Sequence, residues 1–198
     1  MVINMNKQSF FNIVRKELFS NTLNQSQVEG LEFILDYFDG QTDITDIRQF
    51  AYILGTIHHE TGTTMQPIEE WGKGKGKLYG TNVKMNKRPY YDTKKLFYGR
   101  GYVQLTWYEN YLVMTKLAKL EGHNWDFINN PELMLQHEPS IWVCFKGMSQ
   151  GLFTGEKLSD YIFGKEPDFI NARRIINGLD CSEKIAKLCT IYYKALTQ

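Results

Sequence analysis

His58-His59-Glu60-Thr61-Gly62 sets a carboxyl group beside two imidazoles, and Glu69-Glu70 adds two more carboxyls nine and ten residues later. Further on, Tyr98-Gly99-Arg100-Gly101-Tyr102-Val103-Gln104-Leu105-Thr106 strings together phenols, a guanidinium, an amide and a hydroxyl between flexible glycines. Two carboxyls in different environments are what it takes to donate a proton to a leaving oxygen and to activate a water, the chemistry of glycosidic bond cleavage. An inverting enzyme of that kind holds them roughly 6.5–9.5 Å apart so that a water fits between base and sugar. The chain can turn back between Glu60 and Glu70 across Pro67.

Each residue also has a plainer role open to it. Glu60 sits past an apolar helical face and near a helix C-terminus, where burial and the negative end of the dipole favour a protonated acid, but a solvated last-turn glutamate has the same spacing. Glu69-Glu70 fits a charged surface turn as well as a base. His58 and His59 do not form a zinc motif, because His-Glu-x-x-His is broken by Gly62 and Thr63, so no metal is expected. Lys73-Gly74-Lys75-Gly76-Lys77 fails as a phosphate loop for want of a following Ser or Thr and of a preceding strand. Residues 102–107 alternate, with Tyr102, Gln104 and Thr106 on one side, which predicts a short half-buried strand. Thr106-x-x-Glu109 also predicts a capping box for the helix that follows.

The elements that must position these residues read as mainly helical with an irregular middle. Phe10, Phe11, Val14 and Leu18 keep helical spacing, as do Val28, Leu31, Ile34, Leu35 and Phe38 before Gly40. A third helix starts at Asp43 or Asp46, carries Phe50, Ile53, Leu54 and Ile57 on its core face, delivers His58, His59 and Glu60 at its end, and stops at Gly62. Periodicity is lost from Thr63 to Arg100, which predicts a long, mobile, basic loop covering a substrate. Helices return over 107–120, from Asn130-Pro131, over 141–148 after a break at Pro139, over 169–176, and from a Ser182 cap to Leu196.

With 42% hydrophobic residues, the chain can bury one well-packed core, and a single domain over 1–198 is expected. A formal charge of +1 argues against a dedicated nucleic-acid binder. The charge is uneven: residues 73–100 carry nine basic side chains against Asp92 alone, a net +8, leaving −7 on the rest. Such a field draws an anionic polymer more than a neutral one. Cys144, Cys181 and Cys189 lack metal or disulfide spacing and read as buried thiols. No apolar stretch reaches the roughly 20 residues of a membrane span, and Met1 to Lys16 lacks a signal-peptide core, so no stable membrane insertion is expected.

On these motifs the sequence resembles the family 19 glycoside hydrolases, which include plant-type chitinases and phage or bacterial endolysins. His59-Glu60-Thr61-Gly62 is similar to the family's acid segment, Tyr98 to Thr106 with Asn110-Tyr111 to its Tyr-Gly-Arg-Gly-x-x-Gln-Leu-Thr/Ser run, and Ile175-Ile176-Asn177-Gly178 to its Ile-Ile-Asn-Gly segment. Tyr108-Glu109 departs from the family's Asn-Tyr pair. The likeness covers residues 50–196, with 1–45 as N-terminal helices, and implies a lysozyme-like α+β domain with a small β element and the basic loop beside a cleft. It implies Glu60 as general acid, Glu70 as base with Glu69 in reserve, and Thr106 as the base's helper. The substrate-binding residues it implies are His59, Tyr98, Arg100, Gln104, Asn110 and Asn177.

The expected activity is an inverting, cofactor-free cut of β-1,4 bonds in bacterial peptidoglycan, whose glycan strands are the partner of a monomeric chain. The basic segment tips the choice toward the wall over neutral chitin. The implied setting is a host cytoplasm, with access to the wall after holin-type release. A chitinase, a lytic transglycosylase and a noncatalytic wall-binding phage tail module are the alternatives.

Overall fold

The computed structural model of the chain describes residues 5–44 and 46–198; Met1–Asn4, the start of the Met1–Lys16 segment that lacks a signal-peptide core in sequence, and Thr45 lie outside them. Among the described residues the protein is mainly α, with seven helices and one small antiparallel β element, as expected from the sequence. The helices are α1 (Lys7–Leu18), α2 (Gln25–Asp39), α3 (Ile47–Glu60), α4 (Tyr108–Leu120), α5 (His137–Gln150), α6 (Leu158–Tyr161) and α7 (Ser182–Thr197). The strands are β1 (Ile68–Glu69) and β2 (Arg100–Gly101), paired Ile68 to Gly101 and Glu69 to Arg100. None of the helices is long and apolar enough to cross a membrane. The backbone divides into two compact units, one running to Met65 and resuming at Phe145–Gln198, the other Gln66–Cys144.

In the first unit α3 is the central element. Every residue from Phe50 to His58 is buried, so the helix is enclosed on all sides rather than along one stripe. It packs against α7, and Gly55 makes the approach possible: a Cβ there would collide with the Cys189 thiol and lie 3.0 Å from the Cys189 amide nitrogen. Phe50 stacks on Phe38 of α2 with ring centroids 3.9 Å apart, tying a third helix to the same core. Asp46 caps α3 by accepting from the Arg48 amide. At the other end Gly62, at φ 56°, and Thr63 donate their amides to the His59 and His58 carbonyls, a Schellman closure that stops the helix directly after Glu60.

In the second unit the core is aromatic. Tyr90 stacks on Tyr108 at 4.7 Å, and Phe97 meets Tyr90, Tyr108 and Tyr111. The basic stretch from Thr63 to Arg100 is therefore not featureless: besides β1 it contains a 3-10 turn at Leu78–Gly80 and a bridge between Val83 and Pro89, and Tyr90 anchors it through its hydroxyl to the Lys95 carbonyl.

Several local expectations are corrected. Residues 102–107 are a reversal, not a strand: Leu105 bridges back to Arg100, and Gln104 and Trp107 adopt φ of 51° and 72°. Alternation alone does not distinguish a strand from a tight turn whose side chains fall on two sides. The Thr106–Glu109 capping box does not form; Trp107 occupies the N-cap and Glu109 instead accepts from the Met85 amide. Pro139 does not break a helix, because it falls in the first turn of α5, where no amide donor is needed, while Pro131–Leu135 is a separate 3-10 turn. The segment read as a helix over 169–176 is a 3-10 turn at Asn171–Ile175. Cys181 rather than Ser182 caps α7, in a left-handed conformation, and is exposed, whereas Cys144 and Cys189 are buried; all three are free thiols.

Two outcomes test this packing. Gly55→Ala should cost about 1–3 kcal/mol of unfolding free energy through overpacking, read from the urea midpoint. His58 is buried, with Nδ1 2.9 Å from the Tyr192 hydroxyl, and burial pushes its pKa from the ordinary 6.5 down to about 4. Between those values the unfolded chain binds a proton that the folded chain refuses. Stability is therefore complete above pH 6.5 and falls, by up to about 3 kcal/mol, as pH drops toward 4. Denaturation curves at several pH values should show that slope, flattened in His58→Phe; an equal slope in both proteins would assign the acid sensitivity elsewhere.

Candidate functional site: two carboxylate centres

The first centre ends α3. Glu60 Oε1 accepts from Arg173 Nη1 at 2.6 Å, with the side chains 15% and 5% exposed, and Arg173 Nε is itself fixed on the Asp180 carbonyl at 3.1 Å. Glu60 Oε2 has no partner among the described residues. The glutamate is thus neither a loose solvated side chain nor fully satisfied: one oxygen is clamped and one is available. His59 lies beside it half-buried, with Nδ1 enclosed and unbonded. Burial holds its pKa below the ordinary value, against the opposing pull of Glu60 and with that of Arg173, so the ring is neutral near pH 7. Asn177 follows the 3-10 turn that carries Arg173; its amide donates to the Arg173 carbonyl at 3.0 Å, and its exposed side chain accepts from the Gly178 amide.

The second centre is built on the strand pair. Glu70 donates its amide to the Gly99 carbonyl at 2.7 Å, and its carboxylate accepts from the Gly99 amide at 3.2 Å and the Tyr79 hydroxyl at 3.0 Å. Burial, then the bond to Glu70, push the Tyr79 phenol up to about 12, so it remains a donor. Glu69 is held differently: Lys73 approaches at 2.8 Å and the Tyr98 hydroxyl at 3.1 Å. The Lys73 ammonium is the main reason its carboxyl lies below the usual range. Gln104 folds back to donate to the Ile68 and Gly101 carbonyls, and a Cβ on Gly99 would lie 2.8 Å from Gln104 Oε1, so a side chain there would displace that amide.

Arg100 is 3% exposed; its guanidinium lies 3.6 Å from the Tyr98 ring centroid and donates to the Leu96 carbonyl and the Tyr111 hydroxyl. Its contacts are internal and fix Tyr98. Thr106 is half-buried, and its carbonyl accepts the Asn110 side-chain amide at 2.9 Å. The structure therefore gathers Glu69, Glu70, Tyr98 and Gln104 around β1 and β2, and His59 and Glu60 with Arg173 at the end of α3. Arg173 and Tyr79 were not singled out from the sequence. Arg173 lies 113 residues from its partner, and only its place two residues before Ile175-Ile176-Asn177-Gly178 marked it. No group of three or more His, Cys, Asp or Glu able to hold a metal occurs among the described residues.

Compared with known proteins, the chain matches no family model and no curated sequence at a significant level.

The ion pair at the first centre is open to a double-mutant test. Arg173→Met should cost about 2–4 kcal/mol, because it strands a mostly buried carboxylate. In a Glu60→Gln background the cost should shrink, giving a coupling of about 1–3 kcal/mol in urea denaturation; additive losses would mean that the pair contributes nothing.

Proposed function

We propose that the protein is a glycoside hydrolase that uses two carboxyl groups, one as acid and one as base. Within that class we infer an endolysin-type enzyme cutting β-1,4 bonds of bacterial peptidoglycan with inversion. The observation that carries the reading is the Glu60 centre. A carboxyl at a firmly closed helix end, with one oxygen fixed by a buried guanidinium and the other without a partner among the described residues, is held in a single orientation in which its free oxygen can meet a substrate oxygen. On substrate binding the free oxygen takes the glycosidic oxygen as its partner, and the neutral His59 ring beside it adds no competing charge.

Glu70 is the better base of the pair. The Lys73 ammonium occupies Glu69 and holds its carboxyl below the usual range, which weakens it as a base. Glu70 is oriented by two neutral donors, the Gly99 amide and the Tyr79 hydroxyl, which fix its plane without neutralising its charge. In this reading Glu70, helped by the Thr106 hydroxyl, draws a proton from a water that attacks the anomeric carbon, while Glu60 protonates the departing oxygen. No metal or organic cofactor enters the chemistry. The enzyme acts on the wall after release from the host cytoplasm.

Turnover on purified sacculi tests the assignment. Glu60→Gln and Glu70→Gln should each lower wall lysis by about 10²–10⁴ with folding intact, and Glu69→Gln should do much less. Mass analysis of the fragments should show reducing sugars with no anhydro product. Near-normal lysis by Glu60→Gln would remove the proposal, and anhydro fragments would move the enzyme to the lytic transglycosylases.

A further inference from the structure

The chain directly after Glu70 holds a feature the two carboxylate centres do not use. Trp71 is 100% exposed, and Lys75 and Lys77 are exposed with no described partner, whereas Lys73 is committed to Glu69. The segment is wound rather than trailing: Lys73, Lys75, Lys77 and Gly80 donate their amides to the Glu70, Gly72, Gly74 and Lys77 carbonyls at 2.9–3.0 Å. Its ends cross at two glycines, since a Cβ on Gly74 would sit 2.5 Å from the Gly80 Cα and 3.0 Å from the Tyr98 Cβ. The loop is thereby pinned to Tyr98, the residue that holds Glu69. An indole fully in water and two ammonium groups with no described partner, carried on a wound backbone directly after a carboxylate pair, form a binding edge rather than a packing one.

Resting on the hydrolase reading, we propose that Trp71, Lys75 and Lys77 form a recognition site for a carboxylate-bearing glycan. The indole takes the face of a sugar ring, and the two lysines take the acidic substituents that a neutral N-acetylglucosamine polymer lacks. Charge arrangement selects this partner over a phosphate-dense surface. An anionic membrane or a nucleic acid would press closely spaced negative charge against Glu70, whereas a glycan offers each carboxylate a hydroxyl and each free lysine a carboxylate at intervals. The site thus supplies the preference for wall over chitin that the acid–base pair cannot, because both polymers present the same acetamido sugar to it.

The test is binding by the Glu60→Gln variant of the 198-residue chain, followed by calorimetry with three probes: soluble peptidoglycan fragments, the same fragments with their carboxyls converted to amides, and N-acetylglucosamine oligomers. Added Trp71→Ala should weaken fragment binding about tenfold or more, equivalent to about 1.4 kcal/mol, and Lys75→Ala/Lys77→Ala should do the same. Amidation should weaken the parent protein's binding comparably and leave the double-lysine variant unaffected. The lysine effect should also fade as salt rises from about 0.1 M to about 1 M. Equal affinity for native and amidated fragments, or no loss in either loop variant, would overturn the proposal. Breakdown of the fragments by Glu60→Gln during the measurement would instead count against Glu60 as the acid, and failure of the unsubstituted protein to release fragments from sacculi would count against the hydrolase reading, so each failure is read separately.

Discussion

The enclosure of α3 is the constraint on which the rest of the first unit depends. A helix buried around its whole circumference has no free rotation or slide: moving it one residue would drive Tyr52, Thr56 and His58 into different neighbours and bring a side chain to the Gly55 contact with α7. The last turn inherits that rigidity. His58 is locked inward on Tyr192, and the next two residues, His59 and Glu60, fall at the helix's edge, where the Gly62 closure ends it. The carboxyl that carries the proposed chemistry is thus placed by packing several turns away, and the buried Arg173 fixes its remaining freedom.

The second unit solves a similar problem with much less regular structure. Two strands of two residues each would not stand alone. They hold because the aromatic group around Tyr90, Phe97, Tyr108 and Tyr111 supports the loop that joins them and because Gln104 ties both strands through the Ile68 and Gly101 carbonyls. Arg100 is the clearest case of a charged side chain used internally. Its stacking on Tyr98 and its Nη1 bonds to backbone carbonyls offset part of its loss of water, Nε being buried without a described partner, and they orient the phenol that reaches Glu69.

Two adjacent carboxylates differ because their surroundings differ. Glu69 meets an ammonium and Glu70 meets a hydroxyl and an amide. That contrast arises from the winding of the glycine-rich loop, which brings Lys73 one turn back onto Glu69 and carries Tyr79 onto Glu70. The same winding leaves Lys75 and Lys77 exposed and without partners among the described residues, so the local excess of positive charge is divided between internal neutralisation and a free surface.

The sequence by itself determined the three N-terminal helices, the helix that begins near Trp107, the mainly helical class and the delivery of Glu60 at a helix end. Apolar spacing and glycine or aspartate boundaries are local and act through the nearest turn of backbone. Tertiary structure alone decided that residues 102–107 reverse, that Trp107 rather than Thr106 caps α4, that Arg100 is internal, and that Arg173 and Tyr79 are the partners of Glu60 and Glu70. Those outcomes depend on which distant groups arrive to satisfy a carboxylate or a backbone amide. No local pattern encodes an ion pair between residues more than a hundred positions apart.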